Sequence, residues 1–134
     1  MSTEQKPEFS LPSWECIHIV SSASAIEENG LSSRVGVYAC DIGGVIDELM
    51  LFDKIAGSMK FPSYFGRNWD ALDECLSDLE WLPTTGFVLV VRRCGTFWRN
   101  DPISIGRLIK TWLFCAQQWA DQGTPFHLVL SLDG

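Results

Sequence analysis

Residues 61–83 read FPSYFGRNWDALDECLSDLEWLP, and the rest of the chain is organised around this stretch. Its first third is typical of a loop, because Pro62 biases the preceding residue away from helical dihedral angles and Gly66 frees the backbone. Asn68 is a good N-cap, since its side-chain oxygen can accept a hydrogen bond from an amide of the first helical turn. The stretch therefore predicts a loop that ends at Asn68 and a helix over residues 69–79.

The predicted helix has one apolar and one polar face. The apolar residues recur at helical spacing: Leu72, Cys75, Leu76 and Leu79. The opposite face carries Asp70, Asp73, Glu74, Ser77 and Asp78. Repulsion between like charges on neighbouring turns costs a few tenths of a kcal/mol per pair. The acidic face is therefore either an ordinary solvated surface or a surface used for binding. Three aromatic residues beside it, Tyr64, Phe65 and Trp69, are expected to be exposed, and they favour a binding surface.

The loop and the helix together carry a pattern made of Pro62, Tyr64, Phe65, Gly66, Asn68, Asp70, Ala71, Leu72, Glu74, Cys75 and Leu76. This pattern resembles the signature of the barstar family, intracellular protein inhibitors of secreted or injected bacterial ribonucleases. A looser similarity extends from about residue 35 to residue 132, whereas residues 1–33 lie outside the family pattern. The resemblance implies a small three-stranded parallel sheet packed with helices.

The resemblance also implies a binding site, in which the loop over residues 62–68 and the acidic helix plug the active site of a nuclease. The partner-binding residues it implies are Tyr64, Phe65, Gly66, Asn68, Trp69, Asp70, Asp73 and Glu74. Glu74 stands where the family usually has an aspartate that replaces a substrate phosphate among cationic side chains. Asp73 replaces a bulky aromatic residue, and Leu79 occupies the place of a further aromatic. These departures concern the identity of the nuclease more than the class of partner.

Composition points to one acidic domain. The chain has 134 residues, of which 46% are apolar and 20% charged, and its formal charge is −7. This charge disfavours binding to nucleic acid or to anionic lipid and favours a basic protein partner. The longest apolar runs have the length of strands, and the first residues lack the features of a secretory signal. We therefore expect a cytoplasmic protein, monomeric when free, that neither binds nor crosses a membrane.

The sequence offers no catalytic or metal-binding constellation. Its five cysteines are odd in number and lack a CxxC spacing, which favours free thiols, and Cys75 and Cys115 lie on apolar helix faces. His18 and His127 stand alone in apolar strands, so we expect packed histidines rather than catalytic ones. The sequence therefore predicts a protein that is not an enzyme and holds neither a metal nor a cofactor.

The remaining elements alternate between strands and helices. Strands are predicted at residues 14–20, 34–42, 87–93 and 126–132, and helices at 24–29, from about 47 to 59, and from the cap at 101 to the glycine at 123. Residues 95–100 have room for one short turn. Helices between strands favour right-handed crossovers and a parallel sheet, so the predicted fold class is α/β.

The predicted organisation is a flexible tail over residues 1–13 and a single domain over residues 14–134. Its core spans residues 34–134 and its N-terminal arm spans residues 14–33. The arm holds a possible extra strand, which either covers a sheet edge or apolar face or touches the partner.

Two other functions are compatible with the acidic helix. A hydrolase would use a pair of carboxylates such as Asp70 and Glu74, but such enzymes place the two groups on opposite sides of a cleft. An interaction domain of the same fold would neutralise a toxin that is not a nuclease, or another basic protein, since fold does not fix function. The identity of the partner distinguishes this last hypothesis from a ribonuclease inhibitor.

Overall fold

The computed structural model describes residues 15–22 and 34–133, which form four strands and four helices. Their order is β1 (Ile17–Val20), β2 (Val35–Asp41), α1 (Glu48–Ser58), α2 (Trp69–Asp78), β3 (Gly86–Arg92), α3 (Gly95–Asn100), α4 (Pro102–Asp121) and β4 (Phe126–Ser131). All strand pairs are parallel, in the order β1-β4-β3-β2. The predicted α/β class is confirmed, and β1 adds a fourth strand to the three-stranded sheet. None of the helices in these two ranges combines the length and apolarity needed to cross a membrane.

The long helices begin where their capping residues predict. The carboxylate of Asp47 accepts a hydrogen bond from the Met50 amide at 2.9 Å and so starts α1. Asp101 caps α4 in the same way through the Ser104 amide at 3.1 Å. Gly123 follows the end of α4 with a φ of +72°, which a residue without a Cβ adopts freely. These boundaries fix which side chains point toward the sheet.

The two central strands, β3 and β4, are buried along nearly their whole length. On the helical side of the sheet, the Trp112 ring of α4 stacks on Phe126 with centroids 4.0 Å apart. The other side carries a separate apolar cluster formed by Val35, Val88, Val90 and Val129. Burial on both faces explains the continuous apolar runs of these strands, as predicted for a parallel sheet.

The arm and the segment after β3 differ from their predictions. The arm strand was predicted over residues 14–20, but β1 spans Ile17–Val20, where it pairs with β4 and so lies at the sheet edge. The predicted helix at 24–29 and the tail over 1–13 lie outside the described residues. The short turn expected at 95–100 is the helix α3, because the Trp98 amide bonds to the Cys94 carbonyl and Phe97 is buried.

The sequence predicted that His18 and His127 stand alone, but the structure brings the two residues together. Because β1 lies beside β4, the Nε2 atom of His18 comes within 3.0 Å of the Nδ1 atom of His127. His127 is buried, which confirms that it is a packed residue. Burial, and to a lesser degree the charge of His127, lowers the pKa of His18 to about 4. The folded protein therefore favours the neutral form of His18.

Acid should destabilise the fold through His18. Between about pH 6.5 and 4, the unfolded chain binds a proton at His18 that the folded state does not bind. The free energy of unfolding is therefore highest above about pH 6.5 and decreases as the pH falls toward 4. Because His18 is partly exposed and solvent screens its charge, we expect denaturant melts to show a reduced loss, on the order of 1 kcal/mol at pH 5 relative to pH 7, from this residue. The His18→Gln variant is the control, and its loss should be smaller by that amount. Equal losses of stability in both proteins would contradict the lowered pKa of His18.

Candidate functional site

The loop before α2 ends in the predicted cap. Asn68 has an extended backbone, and its Oδ1 atom accepts a hydrogen bond from the Ala71 amide at 2.7 Å. Its Nδ2 atom donates to the Gly66 carbonyl at 3.3 Å. A Cβ atom on Gly66 would lie 3.3 Å from Asn68 Nδ2 and 3.5 Å from the Ala71 Cβ, so a side chain there would press on the cap. Asn68 and Gly66 thus fix where the loop ends and α2 begins.

The apolar face of α2 packs into the core as predicted. Its buried residues are Leu72, Cys75, Leu76 and, at the C-cap, Leu79. On the solvent side, Asp70, Glu74 and Asp78 are exposed on successive turns, and we call these three residues the acidic stripe. Because the residues are four apart, their carboxylates lie along one line on the helix surface.

Asp73 does not belong to that exposed face, contrary to the sequence prediction. It is half-buried against α4, where the Cys115 thiol donates to its Oδ1 atom at 3.0 Å. Burial is the main cause that raises the pKa of the Cys115 thiol to about 12, so the thiol keeps the proton that it donates. One turn later, Gln118 Nε2 donates to the Ser77 carbonyl at 3.2 Å. Asp73 and Ser77 therefore join α2 to α4.

Two of the three aromatic residues predicted to be exposed are half-buried instead. Phe65 and Trp69 pack edge-on against Phe52 of α1, with ring centroids 6.0 and 4.8 Å away. The indole N–H of Trp69 donates to the Glu48 carboxylate, which also lies 3.7 Å from the Arg107 guanidinium. These aromatics fasten the loop and the start of α2 to α1, and they leave Tyr64 as the exposed aromatic of this segment.

Tyr64 lies in the loop that leads into the acidic stripe, and 73% of its surface is exposed. The pKa of its hydroxyl is raised by desolvation first, and then by Cys75 and the carboxylates of Asp78, Glu80 and Glu74. Tyr64 thus combines a large exposed apolar surface with a position next to clustered negative charge, which is typical of an interface anchor.

Arg67 is the cation closest in sequence to the stripe, yet it is paired elsewhere. Its Nε and Nη2 atoms donate to the two carboxylate oxygens of Asp53, both at 2.9 Å. Its φ of +54° is left-handed, a conformation that costs a non-glycine residue free energy. Because both side chains are about half exposed, the pair contributes at most about 1 kcal/mol of stability. It leaves the charge of the acidic stripe uncompensated.

The chemistry of the site is suited to binding. Within residues 15–22 and 34–133, no three His, Cys, Asp or Glu side chains are grouped so that they could hold a metal ion. All five thiols are free and buried, and burial raises the pKa of each above its usual value. Protonated thiols are poor nucleophiles. Asp70 and Glu74 share one exposed helix face, which does not give the opposed arrangement that a carboxylate-pair hydrolase needs.

These features define a class of protein, an α/β domain with an acidic helix at its surface. The sequence model of one family, described as barstar (barnase inhibitor), matches residues 35–131. The chain therefore belongs to the barstar family, whose members are inhibitors rather than enzymes. The matched range contains the loop, α2 and α4, and it leaves β1 outside. No curated protein matches the chain.

Sequence reasoning missed the residues that support the site. Glu48, Asp53 and Cys115 lie 21, 14 and 42 residues from Trp69, Arg67 and Asp73, the residues they hold. No local spacing connects such partners, because these contacts form only when the helices pack. A capping aspartate before α1 and an apolar stripe in α4 predict the helices, but they do not predict which side chains meet.

Removing the cap should loosen the site measurably. Asn68→Ala leaves the Ala71 amide without its acceptor, and we expect thermal melts to show a loss of about 1 kcal/mol, within a range of about 0.5–2. Asn68→Asp, which keeps an acceptor and adds a favourable charge at the helix N-terminus, should stay within a few tenths of a kcal/mol of the original protein. If both variants melt alike, the cap is not what fixes the start of α2.

Proposed function

We propose that this chain is an intracellular inhibitor, an immunity protein, that blocks the cationic active site of a bacterial ribonuclease or ribonuclease toxin. The blocking surface consists of the loop over residues 62–68 and the acidic stripe of α2. Tyr64, Asn68, Asp70 and Glu74 contact the enzyme. The remaining residues of the predicted site, Phe65, Gly66, Trp69 and Asp73, hold these four in place.

The observation that carries the proposal is the unpaired charge of the acidic stripe. The ion pairs among the described residues join Arg67 to Asp53, Arg93 to Asp41 and Arg107 to Glu48, and none of them uses a carboxylate of the stripe. Like charges on adjacent turns cost free energy, which cations on a partner would recover. The fold therefore keeps a row of anions available for a cationic surface.

The partner's charge follows from the same observation. Ribonucleases hold the phosphates of RNA with cationic side chains, and a carboxylate can replace a phosphate among such groups. With a formal charge of −7, the chain attracts a basic protein and repels RNA and anionic lipid. We propose one partner protein per chain, a monomeric free state and a cytoplasmic location, without a metal or cofactor.

The site is also preorganised for binding. Trp69 bonds to Glu48, Arg67 bonds to Asp53 and Asp73 bonds to Cys115, so contacts to both neighbouring helices hold α2 and the loop. A surface that is ordered before association loses less conformational entropy when it binds. This favours tight binding without any rearrangement of the helix.

Inhibition of RNA cleavage tests the proposal. The purified protein should be titrated into a panel of basic bacterial ribonucleases that begins with barnase, the enzyme named in the family description. We expect stoichiometric inhibition of at least one member, with no effect on an acidic nuclease used as the control. If no ribonuclease is inhibited and a cationic toxin without nuclease activity is bound instead, the alternative of a barstar-fold interaction domain is correct. The departures at Asp73 and Glu74 concern the identity of the nuclease, so the panel must extend beyond barnase.

Within the inhibited complex, Glu74 should matter most. Removing it leaves the enzyme's cations desolvated without a partner, and we expect Glu74→Ala to cost about 2–5 kcal/mol of binding free energy by calorimetric titration. Tyr64→Ala should be the second largest loss. Asp78→Ala, the matched control in the last turn of the same stripe, should cost under about 1 kcal/mol, as expected of a rim charge.

Thermal melts of the three variants separate binding from folding. All three residues are exposed, so the melting temperatures should stay close to that of the original protein. If Asp78→Ala weakens binding as much as Glu74→Ala, or if Glu74→Ala binds normally, the enzyme does not dock on this segment as proposed.

A further inference from the structure

A second exposed aromatic residue lies on α4, outside the family pattern of the loop and α2. Phe114 has 68% of its surface exposed, and the neighbouring Leu113 has 42% exposed. Neither residue contributes to the buried face of α4, which faces the sheet and α2. A phenylalanine has no polar atom to solvate, so such exposure costs free energy that a partner would recover.

The packing of α4 on α2 fixes where Phe114 lies. It directly precedes Cys115, whose thiol donates to Asp73, and it lies one helical turn before Gln118, whose amide donates to the Ser77 carbonyl. Residues four apart share one side of a helix. Phe114 is therefore at the outer rim of the contact between α2 and α4, next to the turn of α2 that carries Asp73 and Glu74.

Tyr64 is in the loop that precedes the same stripe, whereas Phe114 is on α4. Asp73 marks the flank of α2 that faces α4, because its carboxylate accepts a hydrogen bond from the Cys115 thiol. Two exposed aromatic rings therefore belong to the two segments that adjoin α2, one to the loop before it and one to α4 packed against it. Aromatic side chains are enriched in protein interfaces and among the few residues that contribute most of the binding energy.

We propose that Phe114 is an anchor of the same docking surface and inserts into an apolar recess beside the cations of the ribonuclease. This inference rests on the proposed function, since its occupant is the enzyme bound by the acidic stripe. The surface then spans the loop, α2 and α4. The stripe supplies charge for attraction, and Phe114 adds apolar contact and specificity, because an enzyme without a matching recess would leave the ring solvated or would clash with it.

Leu113 provides a matched control. It is also apolar and exposed on α4, but it lies one residue from Phe114, which turns it about 100° around the helix, away from the contact with α2. Shortening either side chain removes exposed apolar surface, so neither Phe114→Ala nor Leu113→Ala should lower the melting temperature. A difference in binding between the two variants therefore shows whether the effect depends on the side of α4 that the residue occupies.

The experiment compares Phe114→Ala, Leu113→Ala and Glu74→Ala in calorimetric titrations with the ribonuclease that the chain inhibits, with barnase tried first. We expect Phe114→Ala to raise the dissociation constant at least tenfold, Leu113→Ala to change it less than twofold, and Phe114→Tyr to bind within about threefold of the original protein.

If Glu74→Ala binds weakly while Phe114→Ala binds normally, the inference is wrong and the proposed function stands. Equal losses from Phe114→Ala and Leu113→Ala would overturn the inference too, because the effect would then not depend on the side of the helix. If the unaltered chain inhibits no ribonuclease in the panel, the proposed function fails and the inference fails with it.

Discussion

Burial of the apolar face of α2 is the constraint on which the rest of the site depends. Leu72 and Leu76 have no exposed surface, and Leu79 at the C-cap is almost completely buried. Rotating the helix by one residue, about 100°, would expose these side chains and bury carboxylates, and an unpaired buried charge costs several kcal/mol. The core therefore dictates that Asp70, Glu74 and Asp78 face the solvent. Their mutual repulsion is small beside that cost.

Contacts at both flanks of α2 turn this orientation into a fixed position. On one flank, Trp69 packs on Phe52 and donates to Glu48. On the other, Asp73 accepts the thiol proton of Cys115. The two contacts use residues that the sequence pattern assigns to binding, but they act behind the surface rather than on it. The same short segment thus supplies both the groups that face solvent and the groups that hold them there.

Much of the fold could be predicted from local patterns. The caps at Asp47, Asn68 and Asp101, and the glycine after α4, set helix boundaries through interactions within a few residues, so periodicity and capping chemistry were sufficient. The parallel sheet followed from alternating elements and continuous apolar strands. The family pattern located the loop and the acidic helix, and the structure confirms that Tyr64 and the acidic stripe are exposed.

The remaining features depend on contacts between distant parts of the chain. The pairing of His18 with His127 joins residues 109 apart, and it exists because β1 adds to the edge of β4. The helix wheel placed Asp73 on the exposed polar face, but the residue is half-buried, because α4 packs against it and the Cys115 thiol bonds to its carboxylate. Phe65 and Trp69 were expected to be exposed because they stand beside charged residues at a loop–helix junction, yet both pack on Phe52 of α1. Sequence periodicity tells which side of an element is buried, and only packing tells what lies against it.

Mapping the bound surface by nuclear magnetic resonance tests the account most directly. The isotope-labelled protein would be titrated with the inhibited ribonuclease while the backbone amide shifts are followed. The account predicts changes concentrated in residues 62–78 and around Phe114, with β1 and the exposed end of β2 unchanged. Changes concentrated on β1 or β2, with α2 unaffected, would contradict it.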